Sequence, residues 1–526
     1  MVFNCIFAFG LVLGAVFASI RQFQMLQLNS YFAVRYLRWY KDSFGLTRLC
    51  YILFAFLIIT AVNIALHFEE LLLVGIVSLL VLSITAIRSF IKNKHSIKPL
   101  VVTARVKRMF TAEVLVLLAV AVLSVALKGL IAHIFTALLC LLAFLPEVLT
   151  LISLVLMKPI EKLISQYYIN DAKKILNSKK DLTVIGVTGS YGKTSVKFIL
   201  GRILSEKYNT LVTPENYNTP MGIVITVRRD LKPQTQVFVC EMGAKRKGDI
   251  LENCKIANPN MCVITSIGPQ HLDTFGNIET IVSTKFELAD WVEKRGGKSF
   301  LNTDNQYIKD NAPQYNFVSY GTHDCNCLAS DISYSELGLK VKIDYKGYSF
   351  TVNSKLLGQH NALNIAAATA VALELGLTPK EIIYAVSKLQ PIEHRLQLKP
   401  YLNGATLIDD AYNSNPEGCL EAVRVLGCFN GKKKILVTPG LVELGEKEYE
   451  LNRSLGEEAA KQSDIIILVG KKRSVPIAEG IRSQGFNEDN LFVVSSFKEA
   501  VTFFAPMCDS NTVILFENDL PDNYLE

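Results

Sequence analysis

Thr183-Val-Ile-Gly-Val-Thr188 followed by Gly189-Ser190-Tyr191-Gly192-Lys193-Thr194-Ser195 is the stretch that decides the fold. The first six residues read as a buried strand, and Thr194 to Leu204 as a helix with Val196, Ile199, Leu200 and Leu204 on one side. Between them the glycines let successive backbone N–H groups turn inward on phosphates at a helix N-terminus. Lys193 then reaches terminal phosphates and the Thr194 hydroxyl holds Mg²⁺. Position 187 is Val, so the spacing is Gly186-x-x-Gly189-x-x-Gly192-Lys193-Thr194 and not the strict GxxxxGK[ST] pattern. The loop predicts phosphate binding in an α/β domain and leaves the chemistry open.

Upstream, the character of the chain changes. Residues 1–180 hold 19 Lys+Arg and 7 Asp+Glu, leaving 36 and 41 for residues 181–526, so the net charge of +7 describes neither half. A basic nucleic-acid-binding domain is excluded, because the half that carries the phosphate loop is slightly acidic. Apolar runs at about 2–20, 49–68, 71–87, 111–127 and 129–157 each approach the ~20 residues that cross a hydrocarbon core. Five spans are expected in 1–157, with four or six as the alternatives, because the third run is short and the last is interrupted at Pro146-Glu147. Arg21, Arg35, Arg38, Lys41 and Arg48 follow the first run, and Arg88, Lys92, Lys94, Lys98, Arg105, Lys107 and Arg108 follow the third. Basic loops stay in the cytoplasm, which puts the N-terminus outside and everything beyond Lys158 inside. Residues 158–180 read as an amphipathic connector lying against headgroups, or as a solvated linker helix. The eleven cysteines include no CxxC pair, and a cytoplasmic location makes reduced thiols the default.

Downstream come Asn216-Tyr-Asn218-Thr219-Pro-Met-Gly222, strand Val237-Phe-Val-Cys240 ending in Glu241-Met-Gly243, and His271-Leu-Asp273-x-Phe-Gly276. Lys285-Phe-Glu287, Asn302-x-Asp304, Gly358-Gln-His360-Asn361-x-x-Asn364, Arg395 and Asp409-Asp410-Ala-Tyr412-Asn413-Ser-Asn415-Pro416 follow in that order. In this order the motifs resemble the Mur ligases, ATP-dependent amide-forming ligases of peptidoglycan precursor synthesis, over about 181–520. The match looks nearest to the type that adds D-alanyl-D-alanine.

With the α-helical transmembrane region read from the apolar runs, the resemblance implies an α/β Mur-ligase core after it. The core would comprise a P-loop central ATPase domain (181–395) and a C-terminal Rossmann-like domain (396–526). It implies ATP on Gly189 to Ser195, Asn302, Asp304, Asn361, Asn364, Arg395 and Asp410, with Asn361 and Asn364 either reading adenine or capping their helix. One Mg²⁺ would lie on Thr194 and Glu241, and a second on His271 and a carbamylated Lys285, whose modification replaces an ammonium by a carboxylate-like ligand. Lys193, Asn218, His271, Lys285 and Arg395 are the catalytic candidates. Asn218, Thr219, Tyr412, Asn413, Asn415 and Glu443 are those for the substrates. The implied reaction has two steps: a carboxylate takes the γ-phosphate of ATP as an acyl phosphate, and an amine then displaces phosphate.

Two departures stand out. Membrane-type helices occupy the place of the family's UDP-sugar-binding domain, so the expected acceptor is a carboxylate on an envelope glycan or lipid-linked precursor, with membrane lipid as a partner and other envelope-synthesis proteins as possible ones. UDP-muramyl tripeptide is the alternative acceptor. On the amine side, Asn452 stands where the family has His, and Glu517-Asn-Asp519 where it has Lys-Gly-Ser, so a single amino acid competes with the dipeptide as the amine. An inactive membrane scaffold and an ATP-driven transporter are the rival classes. Intact Lys193, Thr194, Glu241, His271 and Lys285 speak against the first, and spans poor in ionisable residues against the second.

Overall fold

The computed structural model describes residues 2–42, 83–84, 87–91, 94, 98–270, 272–411, 415–442 and 444–518, which form two units, 1–166 and 167–519. The span expected at 49–68 and nearly all of that at 71–87 lie outside the described residues.

The first unit is helical: Val2–Ala18, Ile20–Leu28, Ala33–Asp42, Ala104–Ala126, Leu130–Phe144 and the start of Pro146–Asn177. Leu11, Ala15, Leu117, Ala121, Leu139, Ala143 and Leu149 form its core. Phe9, Leu115, Val122 and Val155 face outward at 61–66% exposure. Among the described residues two helices, Ala8–Leu28 and Ala104–Ala126, are long and apolar enough to cross a membrane. A third exists if Ile134–Phe144 and Pro146–Asn177, bent by 97°, count as one span. The run expected as a fifth span is therefore two helices. Proline disfavours helical backbone in the residue before it, and Leu145 sits at φ −114°, ψ 64°.

The expected connector 158–180 is not a separate element, since Pro146–Asn177 is one helix with Pro159 inside it. Ile160 and Leu163 are exposed, but Ile169, Ala172 and Leu176 are buried in the core of the second unit. The last turns of this helix are thus part of the α/β body.

The second unit contains two sheets. The first has nine strands: β1 Thr183–Thr188, β2 Thr210–Val212, β3 Val237–Glu241, β4 Met261–Ile264, β5 Lys298–Asn302, β6 Phe317–Gly321, β7 Cys327–Ser335, β8 Gly338–Tyr345 and β9 Tyr348–Ser354. Their order is β2-β3-β1-β4-β5-β6-β7-β8-β9. Pairing is parallel up to β7 and antiparallel through β8 and β9, so a β7-β8-β9 meander extends the main sheet. The parallel strands are continuous apolar runs because helices cover both faces. On one face Lys193–Leu204 packs Val196, Ile199, Leu200 and Ile203 against the Ala-rich helix His360–Glu374. On the other lie Pro220–Asp230, Asp249–Ala257 and Ile278–Glu293.

The second sheet comprises β10 Gln397–Pro400, β11 Thr406–Asp410, β12 Lys433–Thr438, β13 Ile465–Val469, β14 Leu491–Val494 and β15 Thr512–Glu517, in the order β10-β11-β15-β12-β13-β14. All pairs are parallel except β10 with β11. Parallel order directs the C-terminal ends of β1, β3 and β4 to one edge of the first sheet, and those of β11, β12 and β15 to one edge of the second. Open α/β sheets bind ligands at such edges.

Candidate active site

The turn after β1 is shaped by glycine. Gly189 (φ 152°) and Gly192 (φ 79°) adopt conformations that L side chains rarely take. A Cβ on Gly189 would clash with Thr265 Oγ1 and lie 2.9 Å from the Ser266 carbonyl, and one on Gly192 would lie 2.9 Å from Asn364 Oδ1. The segment after β4 braces the loop: Ser190 N–H donates to Ser266 O (2.6 Å), Ser190 Oγ donates to Gly268 O (3.0 Å), and Thr265 Oγ1 donates to Tyr191 O. Gly192 is the N-cap of Lys193–Leu204, so that helix presents its open N–H groups at the loop. Lys193 Nζ folds back on its own loop, donating to Gly189 O (2.7 Å) and Ser190 O (2.8 Å). Desolvation lowers the pKa of this ammonium to about 8, with Glu241 opposing the shift.

Beside the loop, β3 ends in Glu241, which is 1% exposed. Its Oε1 accepts from Asn218 Nδ2 (2.9 Å) and its Oε2 lies 3.0 Å from Lys197 Nζ. Burial pushes this carboxyl up, but the Lys197 and Lys193 charges and the Asn218 hydrogen bond outweigh it, and the net shift is down. Lys197 is itself fully buried and also donates to Glu215 O (2.5 Å). Asn218 is thus found against Glu241. Thr219 caps the helix Pro220–Asp230, accepting from Gly222 N–H at 3.3 Å. Lys285, 2% exposed on Ile278–Glu293, has its ammonium strongly disfavoured, by desolvation first and then by Lys193.

A cavity of about 390 Å³ opens between the two sheets. Tyr191, Gly192, Ser195, Asn302, Asp304, Asn361, Asn364, Arg395, Asp410 and Asn415, all named from sequence, line it. Asn302 Nδ2 donates to Thr265 O (2.7 Å), and Asp304 Oδ2 accepts from Thr322 N–H (2.7 Å). The Asn361 side chain donates to Leu357 O (2.7 Å) and accepts from Asn364 (2.9 Å), while the N-cap of their helix is Gln359, so neither amide is the N-cap. Asn415 does cap, accepting from Gly418 N–H at 2.9 Å.

His271, Tyr412, Asn413 and Glu443 lie outside the described residues. Among the described residues no group of three or more His, Cys, Asp and Glu side chains gathers at metal-ligating distance. Sequence reasoning missed Lys197 and Thr265. Lys197 was visible in principle, four residues after Lys193 on the same helix face. Thr265 carried no residue-type signal. Asn452, which replaces an expected His, is buried and clamps the chain after β12, accepting from Leu441 N–H (2.8 Å) and donating to Leu441 O (3.0 Å).

The Mur ligase middle domain model matches residues 187–372, and the Mur ligase glutamate ligase domain model matches residues 394–517. The UDP-N-acetylmuramoyl-tripeptide–D-alanyl-D-alanine ligase of Bacillus subtilis is 30% identical over 336 residues, 64% of this chain and 72% of the relative. The Escherichia coli protein of the same name is 29% identical over 306 residues, 57% of this chain and 67% of that one. Crystal structures of MurF from Acinetobacter baumannii (TM-score 0.61, 27% identity, 68% of this chain and 77% of that chain) and of MurF from Thermotoga maritima in complex with ADP (0.60, 28%, 68% and 80%) share the fold. With the braced glycine loop, the buried Glu241 and the cavity shared by two sheets, these matches identify the chain as a member of the Mur ligase family and an ATP-dependent, amide-forming ligase.

Proposed function

We propose that the chain joins an amino-acid or dipeptide amine to a carboxylate of a cell-wall precursor, with UDP-N-acetylmuramoyl-tripeptide and D-alanyl-D-alanine, the pair in the relatives' names, as its substrates. The observation that carries this reading is the convergence of Gly192, Asn302, Asn364, Arg395 and Asp410, from both sheets, on one cavity. The glycine loop fits a nucleotide phosphate, because Gly189 and Gly192 take backbone conformations closed to side chains and lead into the open N-terminal N–H groups of Lys193–Leu204. The Thr194 hydroxyl and the Glu241 carboxylate are hard oxygen donors suited to Mg²⁺, which takes one or two carboxylates and completes its shell with phosphates and water. Bound Mg²⁺ neutralises phosphoryl charge. Lys193 exchanges its two loop carbonyls for phosphate oxygens, and Arg395 donates to the transferred group from the opposite wall. Burial and the neighbouring Lys193 charge shift Lys285 toward the neutral amine, the form that adds CO₂, which supports its carbamylation and a second ion shared with His271.

Full-length protein in detergent, given ATP, Mg²⁺, UDP-N-acetylmuramoyl-tripeptide and D-alanyl-D-alanine, is expected to release one phosphate per amide and yield the pentapeptide mass. Lys193→Ala should yield none. Phosphate release that ignores the omission of either substrate overturns the assignment.

A second reading keeps the chemistry and moves the acceptor to the membrane. It is favoured by Ala8–Leu28 and Ala104–Ala126 and by the outward apolar side chains around them. A lipid-linked muramyl tripeptide in nanodiscs would then be used with a higher kcat/KM than the soluble nucleotide-linked one. Equal values sink this reading.

A further inference from the structure

Arg395 stands between two residues of left-handed backbone, His394 (φ 56°) and Leu396 (φ 45°), neither of them glycine. Such a pair persists only if its surroundings hold it. Both are fastened to the end of β11. His394 Nδ1 meets Asp409 Oδ2 at 2.8 Å, an oxygen that Lys399 Nζ also reaches at 2.6 Å, and Leu396 N–H donates to Asp410 Oδ1 at 3.0 Å. In the parallel register Asp410 faces Glu517 of β15, and the two carboxyl groups are hydrogen-bonded to each other. Glu517 is fully buried. The next residue continues the connection: Asn518 N–H donates to Asp410 O (3.2 Å) and Asn518 Nδ2 to Gly440 O (2.6 Å), in the segment after β12 that Asn452 clamps.

We infer that Glu517 is a positioning residue for amide formation: through a proton shared with Asp410 it locks the strand end that orients Arg395 and ties it to the Gly440 segment. Two carboxyl groups in contact bond only while one keeps its proton. Burial raises Asp410 to about 6, against the lowering effects of Glu517, Leu396 N–H and Arg395, with Asp409 adding to the rise. Because Glu517 lowers Asp410, the one proton left once Asp410 ionises sits on Glu517 and is shared with the Asp410 carboxylate, and it is lost only as Glu517 itself ionises at higher pH. The lock thus loosens toward alkaline pH, whereas a glutamine at 517 supplies a donor that does not titrate.

The inference rests on the ligase reading and is tested on the full-length chain in detergent in two ways. Hydrogen–deuterium exchange, which needs no substrate, should speed up by about tenfold at 394–398 and 438–442 in Glu517→Ala and stay near wild type in Glu517→Gln. In the ligation assay, Glu517→Ala should lower kcat by about tenfold or more with KM for ATP within about threefold. Glu517→Gln should restore kcat and flatten the alkaline fall of the wild type. Unchanged exchange in Glu517→Ala overturns the inference, as does a Glu517→Gln pH profile identical to wild type. Where Glu517→Ala does not fold, the Glu517→Gln profile decides alone. Altered exchange together with no ligation by the wild type would instead refute the ligase reading and leave the lock standing.

Discussion

Lys197→Met tests the least expected feature of the site. Lys197 and Glu241 are 0% and 1% exposed with 3.0 Å between Nζ and Oε2, and methionine keeps most of the packing volume while deleting the charge. Glu241 then retains the Asn218 hydrogen bond and the more distant Lys193 charge, and the Glu215 carbonyl loses its donor as well. Removing one partner of a buried ion pair costs about 3–5 kcal/mol. For a body of about 350 residues that is a fall in Tm of roughly 4–7 °C. Scanning fluorimetry of the full-length protein reads it directly. The reasoning also requires that Lys197→Met/Glu241→Gln recover about 2–3 kcal/mol, because a neutral pair needs no counter-charge. A single variant within about 0.5 kcal/mol of wild type would refute it, as would a double variant whose loss is the plain sum of the two singles.

Three further outcomes are expected. Gly189→Ala, which drives a Cβ against Thr265, should weaken ATP binding by at least about tenfold in calorimetry while the helical content stays that of wild type. Lys285 should give a carbamate resonance when the protein is equilibrated with ¹³C-bicarbonate, and Lys285→Arg should abolish both the signal and ligation. Glu374 is held at about 2: burial pushes it up, but Lys298, Lys346 and Tyr345 bring it down further. A depressed carboxylate stabilises the fold above its unfolded value and loses that contribution as pH falls through the folded one. Glu374→Gln should therefore be less stable than wild type by about 1–2 kcal/mol at pH 7, allowing for screening of the half-exposed lysines, with the gap closing toward pH 2 in denaturant melts.

Much of this architecture was legible because buried parallel strands must be apolar. Thr183–Thr188, Val237–Glu241, Lys433–Thr438 and Thr512–Glu517 all announce themselves as short Val/Ile/Leu runs that end where polar site residues begin. Leu491–Val494 and Gln397–Pro400 escaped notice because edge strands alternate or stay short. The break at Leu145 is written in Pro146, but whether a proline ends a span or merely bends it depends on neighbours that no local pattern encodes. Residue type located the cavity lining well and the partners poorly. An amide such as Asn218 advertises that it will hydrogen-bond and not to what, and Thr219 carried the same signal while serving as a cap.

The left-handed pair around Arg395 also says how the site tolerates change. Glycine at 394 would remove the conformational cost of about 1 kcal/mol that the side chain bears there at the loss of the Asp409 contact, so that variant should melt close to wild type while turning over more slowly, whereas glycine at 396 would also empty a buried core site and melt lower. Selection for turnover would therefore hold position 394 more tightly than selection for thermal endurance does. A library sorted only for heat resistance should drift toward chains that fold well and ligate badly.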